Sequence, residues 1–195
     1  MDTKEKILDT AQDLFAQAGF AGTSVRQITE GANVNISAIN YHFGNKEGLF
    51  FAVVERGHSK IEAERFSKLD AYLKEKKYSK IECAVRAFLE PLESRITTRN
   101  SLPKMLMRVF NENPEIKKTI KAKIFVRTRE RFFGVMQDAF PKLTEAEVRC
   151  KFQFMISSML GAMSLSEEIA PTIKEMPGNK TFIECLINHV LQGIQ

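Results

Sequence analysis

The side chains best suited to chemistry lie together near the amino end, at residues 35–42. This segment reads NISAINYH, so amides, hydroxyls, an imidazole and short apolar groups follow one another closely. An asparagine can pair with the edge of an adenine, and an isoleucine or alanine can contact the methyl group of thymine. Hydroxyl and imidazole groups can bond to phosphates. Residues 35–42 therefore predict a surface that reads duplex DNA.

Two short helices must position this segment. Ser24, followed by Gln27, has the spacing of a capping box, which predicts the start of the first helix. Residues 31–34 predict a turn, and Asn35 can cap a second helix that ends near residue 42. Two short helices at this separation form the unit that places its second helix in the major groove. The inward side of that helix is expected to carry Val34, Ile39 and Phe43.

Cations and polar groups around the two helices supply further candidate contacts. Arg26 can reach a phosphate or a guanine edge, Lys46 can neutralise a phosphate, and the first helix can receive one at Ser24. The candidate DNA-binding residues are Ser24, Arg26, Asn35, Ile36, Ser37, Ala38, Asn40, Tyr41, His42 and Lys46. The alternatives are a purely structural helical hairpin, packing roles for the rings at 41 and 42, and solvated cations at 26 and 46.

The composition argues against several classes of protein. The chain has no run of about 18 apolar residues, so neither a membrane span nor a membrane partner is expected. The amino end carries charges and lacks an apolar signal core, which predicts a cytoplasmic protein. Cys83, Cys150 and Cys185 are far apart and predict buried free thiols. The histidines are scattered, and the sequence contains no glycine loop for phosphates, so no enzyme, metal or cofactor is expected.

Apolar residues recur at 3.6-residue spacing throughout, which predicts an all-α fold. The first helix is expected over Thr3–Ala18, with Gly19 as its left-handed cap, and a long helix should run from Lys46 into the 70s. A further helix should begin at Ser79 and be kinked or split at Pro91. The remaining helices are expected to be a short one from 101, then 114–140, 144–168, and one from Asn179 or Thr181 to the end. We expect an N-terminal three-helix helix-turn-helix domain over 1–48, with its reading unit at 24–43. Residues 49–195 would form a larger C-terminal helical bundle.

Positive charge is concentrated in the middle of the chain. Residues 1–59 hold 5 Lys+Arg and 7 Asp+Glu, residues 60–135 hold 19 and 10, and residues 136–195 hold 5 and 7. An overall excess of positive charge indicates a polyanionic partner, yet the DNA-reading segment is not the basic part. The segment 60–135 is open to two interpretations. It could form solvated helix faces, or it could attract an anionic effector or the DNA that flanks the recognised site.

The C-terminal region is rich in phenylalanine and methionine, which form adaptable walls for apolar ligands as well as ordinary core. Phe154 is expected within the same core. The candidates for an effector pocket are Met105, Phe110, Phe125, Phe132, Phe133, Met136, Phe152, Met155 and Met159.

Two stripes near the carboxyl end predict a homodimer. Small residues would let one helix approach a partner closely, and a wide apolar stripe on the last helix could pack on more than one neighbour. The candidates for a four-helix, two-fold interface are Ser158, Gly161, Ala162, Leu165, Ile183, Leu186, Ile187, Val190 and Leu191. The alternative is that both stripes are buried within one subunit.

Gly19-Phe20, the run TSVRQI at 23–28, Val34-Asn35 and the run NYHFGNKEGL at 40–49 resemble the N-terminal domain of the TetR family of transcriptional regulators. The resemblance covers about residues 3–50. It implies an all-helical homodimer whose C-terminal domain binds a ligand and thereby releases a palindromic operator. The family's DNA contacts would fall on the ten candidates named above. Many members carry Tyr at the position of Asn40, which favours base reading over a phosphate contact there.

A second resemblance involves the runs AFPKL at 139–143 and LGAM at 160–163, with Phe154-Met155 between them. These are similar to the subgroup that regulates fatty-acid β-oxidation, whose effector is a long-chain fatty acid or its thioester. We therefore expect a DNA-binding repressor released by a small apolar or amphipathic effector, with an anionic lipid as the leading candidate. The alternative function is a helical protein-interaction adaptor without DNA binding.

Overall fold

The computed structural model describes residues 2–93, 101–110, 112–173 and 181–194, and only the backbone at 101–103 and 165–173. Every regular element within these ranges is helical, which confirms the predicted all-α fold. The elements are α1 (Thr3–Gly22), α2 (Val25–Ala32), α3 (Ile36–Phe43), α4 (Lys46–Glu75), α5 (Lys80–Leu89), a 3₁₀ turn (Glu90–Leu92), α6 (Ser101–Val109), α7 (Pro114–Lys123), α8 (Val126–Ala139), α9 (Glu145–Ile173) and α10 (Phe182–Ile194).

Side-chain caps begin several helices where the sequence predicted them. The Ser24 hydroxyl accepts the N–H of Gln27, and the Gln27 side chain accepts the N–H of Ser24 in return. Thr144 and Glu147 form the same reciprocal pair at the start of α9. Such caps satisfy amides that have no partner within the helix. The other capping residues are Asn35 for α3, Ser79 for α5, Asn113 for α7 and Thr181 for α10.

The end of α1 differs from its prediction. Gly19 has φ 73° and ψ 179°, a conformation that glycine adopts readily and other residues rarely do. The extended ψ means that Gly19 turns the chain instead of forming the expected left-handed cap, and one more helical turn follows at 20–22. Thr23 fixes this turn, because its hydroxyl donates to the Gly19 carbonyl oxygen at 2.8 Å.

The connection between α2 and α3 lies later than the predicted turn at 31–34. Gly31 remains within α2, where a Cβ would lie 2.8 Å from the Thr10 side chain, so the glycine allows α1 and α2 to approach closely. Asn33 instead supplies the left-handed residue, with φ 53° and ψ 53°. Asparagine tolerates this conformation better than most residues do. The helix-turn-helix connection is therefore Asn33 to Asn35.

Two predicted helices have wrong boundaries. The single helix expected over 114–140 is divided into α7 and α8 at Ile124-Phe125, and both of these N–H groups donate to the carbonyl oxygen of Ile120. The interruption lets the ring of Phe125 stack on Phe110, with centroids 6.1 Å apart. The helix α9 continues to Ile173, past the expected end at 168.

The chain forms two compact units. The first comprises Met1–Lys60 and Asn100–Phe125, and the second comprises Ile61–Arg99 and Val126–Gln195. Residues 1–48 thus share a unit with α6 and α7, which sequence patterns had assigned to the second domain. The core of the first unit includes Ile7, Phe15, Ile28, Ile39, Phe50, Met105 and Ile120. The core of the second includes Leu69, Leu89, Phe132, Met136, Met155 and Ile187.

Candidate nucleic-acid interface

The helix α3 presents a polar and apolar surface to solvent while one side chain anchors it. Ile39 is fully buried, whereas Ile36 is 56% exposed and Tyr41 is 85% exposed. Both side chains are therefore accessible on the same short helix, as a DNA contact at these positions would require. The remaining exposed candidates on this helix and its cap are Asn35, Ser37 and Asn40; Ala38 and His42 are half-buried. None of these candidates is buried in the core.

The predicted phosphate contact at Ser24 competes with the capping box. The Ser24 hydroxyl donates to Gln27 Oε1 at 2.9 Å and accepts the Gln27 N–H at 3.2 Å. The hydroxyl is therefore already engaged within the helix start. A phosphate at this position would have to share the group with Gln27 or displace it.

Arg26 carries a positive charge that is partly neutralised within its own helix. Its Nε lies 2.7 Å from Oε1 of Glu30, one turn later, and both side chains are exposed. An exposed ion pair at this spacing contributes only about 0.3–0.5 kcal/mol. Arg26 can therefore exchange Glu30 for a stronger anion at low cost.

Lys46 is held at the start of α4 by an aromatic ring and by the geometry of the preceding turn. Its ammonium nitrogen lies 4.3 Å from the centroid of Phe20. Asn45 caps the helix by accepting the N–H of Gly48 at 2.8 Å. A Cβ on Gly48 would lie 2.1 Å from the carbonyl oxygen of Phe43, so α3 and α4 join too closely for any larger residue.

Sequence patterns missed a clamp that fastens α1 to α6. Arg108 donates from Nε to the carbonyl oxygen of Ala16 and from Nη2 to that of Gln17, at 2.7 and 2.6 Å. Glu112 accepts the N–H of Phe20 at 2.9 Å. These bonds satisfy backbone groups that the interruption at Gly19 leaves open. Partners about 92 residues apart leave no local signal in the sequence.

The nine candidates for an effector pocket are divided between the two units, because the chain leaves the first unit after Phe125. Met105, Phe110 and Phe125 belong to the first unit, although the sequence had placed them in the C-terminal domain. The others belong to the second unit, where Phe132, Met136, Phe152, Met155 and Met159 are buried and Phe133 is half-buried. No single compact unit therefore contains all nine candidates.

A buried arginine that the sequence did not reveal lies among the second group. Arg65 is 5% exposed, and its guanidinium stacks 3.7 Å from the centroid of Phe88. Its Nε donates to the Phe88 carbonyl oxygen at 2.8 Å, and its Nη2 lies 3.6 Å from the sulfur of Met159. Nearby on α4, the carboxylate of Glu62 accepts the buried hydroxyl of Thr128 at 2.7 Å. A buried charge is costly unless it forms hydrogen bonds, so these contacts hold the side chains of Arg65 and Glu62 in fixed positions.

The predicted dimer stripe on α10 is mostly core. This helix packs on α5 and α9, and four of its candidates are buried there: Ile183, Leu186, Ile187 and Val190. These four residues are therefore buried within one subunit, which was the alternative to a dimer interface, because the apolar side of α10 faces the helices of its own subunit. Ser158, Gly161, Ala162 and Leu191 remain accessible, and the side chain of Leu165 lies outside the described residues. Phe154, expected in the core, is 64% exposed on α9.

Three further expectations concern groups of residues. The described part of the chain contains no cluster of His, Cys, Asp or Glu that could hold a metal ion. It also contains no helix with the length and hydropathy of a membrane span. Cys83 is buried as expected, but Cys150 is exposed and Cys185 is half-buried.

Residues 7–53 match the family of bacterial regulatory proteins described as the tetR family, and residues 82–193 match the tetracyclin repressor-like C-terminal domain. A probable HTH-type transcriptional regulator, YttP of Bacillus subtilis, is 46% identical over 63 residues, which cover 31% of this chain and 30% of that protein. The repressor AcnR of Corynebacterium glutamicum is 33% identical over 60 residues, covering 31% and 32%. The matched region thus spans about a third of these relatives.

Solved structures share the fold over nearly the whole chain. The fatty acid degradation regulator FadR from Bacillus halodurans superposes with a TM-score of 0.73 at 14% identity, covering 97% of this chain and 96% of that one. FadR from Bacillus subtilis, solved in complex with stearoyl-CoA, gives 0.68 at 17% identity, covering 97% and 96%. At these identities the likeness establishes the fold alone.

Proposed function

Because the chain belongs to the TetR family of bacterial regulatory proteins, we propose that it is a DNA-binding transcriptional repressor and that α3 reads its operator. Membership of this family confirms the prediction of a regulator and not an enzyme. The observation that carries the proposal is the exposed surface of α3. Ile36 and Tyr41 are open to solvent beside Asn40, on a helix that Ile39 anchors to the core. These groups suit thymine methyls, adenine edges and phosphates.

We propose that the protein acts as a homodimer on a palindromic operator in the cytoplasm. A two-fold dimer would place its two reading helices roughly 34–36 Å apart, about one turn of DNA. The accessible small residues of α9, together with exposed Phe154, support an interface on this helix. Few candidate cations lie near α3, so affinity would depend on two copies binding together.

The proposed effector is a small apolar or amphipathic molecule, and a fatty acid or its acyl thioester is the first class to test. Support comes from the second unit, where the guanidinium of Arg65 contacts the ring of Phe88 and the sulfur of Met159. An apolar chain with an anionic head matches these two kinds of group. The stearoyl-CoA complex of the Bacillus subtilis regulator supports the same class.

The proposed mechanism is a shift between two populations of the dimer. An effector would bind the DNA-incompetent spacing of the reading helices more tightly and so empty the operator. The helix α4 is the proposed transmitter, because it is continuous from Lys46 in the first unit to Arg65 in the second. An operator affinity that stays constant at saturating concentrations of every bound effector would contradict this mechanism.

The DNA proposal is tested with labelled fragments from the promoters of the source genome. Wild-type protein should retard at least one fragment in preference to random duplex. The double variant Arg26→Ala, Lys46→Ala should lose this retardation, and its salt slope should fall by about one unit per cation removed. Native mass spectrometry of fresh protein would report the number of subunits and any co-purified effector.

The adaptor without DNA binding remains the rival function, since an exposed tyrosine and isoleucine also suit a protein partner. The same fragments separate the two functions. A folded dimer that prefers no promoter fragment over random duplex would favour the adaptor and defeat the repressor.

A further inference from the structure

The folded chain changes the charge of the unit that carries the reading helix. Residues 1–59 hold 5 Lys+Arg and 7 Asp+Glu, a net charge of −2. The first compact unit, residues 1–60 with 100–125, holds 12 and 9, a net charge of +3. Most of the added positive charge is on α7. A DNA-reading unit that looks acidic in the sequence is therefore basic once folded.

The lysines of α7 form a group of neighbouring cations that have no carboxylate partner in the described part of the chain. Within the described residues, no carboxylate pairs with Lys117, Lys118, Lys121 or Lys123. In the second unit, by contrast, ion pairs to carboxylates neutralise Lys68, Lys80, Arg86, Arg127, Arg131 and Arg149. The charge of the α7 lysines therefore remains available to an external anion, as does the charge of Lys74, Lys76 and Lys142 in the second unit.

Three of these lysines share one face of α7. Lys117 and Lys121 are four residues apart and Lys118 lies three before Lys121, so all three are neighbours on the helix surface. The opposite face is buried through Ile116 and Ile120. On the other side, Lys118 and Lys121 are exposed and Lys117 is half-buried. We call Lys117, Lys118 and Lys121 the α7 lysine face.

Both ends of α7 contact other elements of the first compact unit. At the start, Asn113 caps the helix directly after Glu112, which accepts the N–H of Phe20. The ring of Phe20 also lies under the ammonium of Lys46, a candidate phosphate contact. The rise of an α-helix places the lysine face about 5 to 11 Å along the axis from the start of α7. At the far end, the ring of Phe125 lies 4.7 Å from that of His58.

We propose that the α7 lysine face is a second DNA-binding surface, which attracts the phosphate backbone outside the groove that α3 reads. The inference depends on the proposed DNA-binding function and names a further contact within it. Phosphate contacts carry no sequence information, but they supply most of the non-specific affinity and raise the rate of association. The lysine face therefore compensates for the small number of cations around α3.

The experiment measures binding to a random duplex of about 40 base pairs between about 50 and 200 mM salt. The test variant is Lys117→Gln, Lys118→Gln, Lys121→Gln, in which glutamine preserves helix propensity. The control variant is Lys74→Gln, Lys76→Gln, Lys142→Gln, which removes the same charge from exposed positions of the second unit. A third variant replaces the three α7 lysines by arginine. Circular dichroism checks that all variants are folded.

The proposal expects the salt slope to fall by about 1 to 3 units in the test variant, and to stay unchanged in the control and the arginine variant. An equal change in test and control variants would overturn it, since total charge would then suffice. An unchanged slope in the test variant would also overturn it. Binding to phosphatidylglycerol vesicles is measured in parallel, and a test variant that loses vesicle binding but keeps duplex binding would overturn the proposal as well.

The test separates this inference from the proposed function. Promoter preference with an unaffected test variant would retain the repressor and reject the lysine face. A reduced slope without any promoter preference would retain the lysine face and reject the repressor. Absence of duplex binding by the wild type at the lowest salt would reject both.

Discussion

Arg108 closes the carbonyl end of α1: its Nε donates to the carbonyl oxygen of Ala16 at 2.7 Å. This bond joins α6 to α1. The two residues are 92 positions apart, so the contact exists only in the folded chain. It adds to the extensive packing of α6 on α1 within one compact unit.

Replacing Arg108 by glutamine should destabilise this unit. Hydrogen bonds from a charged donor contribute more than neutral ones, and the exposed side chain reduces the expected loss to about 1–2 kcal/mol in the free energy of unfolding. Urea unfolding checks the value. The control is Arg129→Gln, an exposed arginine on α8, which should change the free energy by less than about 0.5 kcal/mol. Equal effects of the two substitutions would contradict the clamp.

Gly48→Ala should be severely destabilising and should abolish DNA binding. The added Cβ would lie 2.1 Å from the carbonyl oxygen of Phe43, so the backbone between α3 and α4 must move. We expect the free energy of unfolding to fall by about 1–3 kcal/mol or more, as measured by thermal unfolding. Gly134→Ala on α8 is the matched control, because nothing lies within 4 Å of its Cβ position. That substitution should stabilise the helix by up to about 1 kcal/mol.

Glu30→Gln should raise the affinity for duplex DNA about two- to tenfold. The substitution frees Arg26 from its exposed ion pair and removes a negative charge near the phosphates. Fluorescence anisotropy at low salt measures the change. Glu145→Gln is the control, because it breaks the Arg149–Glu145 pair of the same spacing in the second unit. A comparable rise in both variants would show that total charge, and not Arg26, sets the affinity.

Phe154→Glu should shift the protein from dimer to monomer. Phe154 is 64% exposed on α9, beside the accessible small residues proposed for the interface. A charge buried against a second copy would be costly. Sedimentation velocity measures the subunit number. Gln137→Glu adds the same charge at an exposed position on α8 and should leave the association unchanged. A dimeric Phe154→Glu variant would place the interface elsewhere.

Stability should decline in alkaline solution through one half-buried cluster. The hydrogen bond to Glu90 raises the pKa of Lys68 above 10.5, and burial, followed by the bond to Glu90, raises the pKa of Tyr72 above 10.0. Raised pKa values mean that the folded state holds these protons more tightly. Their contribution is therefore complete below the unfolded pKa values and is lost as the pH rises through the folded ones.

The measurement for this cluster is the free energy of unfolding between about pH 9 and pH 11. The decline should be shallower in Glu90→Gln, because the substitution removes the carboxylate that both groups contact. Tyr72→Phe should remove only the tyrosine contribution. Parallel pH profiles of wild type and Glu90→Gln would contradict this assignment.

Local hydrogen bonding made several helix starts predictable from sequence. The capping pairs at Ser24, Thr144 and Thr181 involve partners three residues apart, so residue type and spacing suffice to locate them. The anchoring role of Ile39 followed from helical periodicity in the same way. The roles of the candidate DNA contacts remain predictions, although the structure leaves all of them accessible.

Tertiary packing decided the features that periodicity leaves open. An apolar stripe shows that a helix side must be buried but not which surface covers it, so the stripe of α10 proved to be core and Phe154 proved to be exposed. The break at Phe125 and the bonds of Arg108 and Glu112 bring α6 and α7 into the reading unit. Such contacts join residues far apart in the chain, and only the folded geometry selects them from many compatible pairs. The sequence alone thus determined where the proposed reading helix lies, because its caps and periodicity are local, and the fold determined which charges share its compact unit.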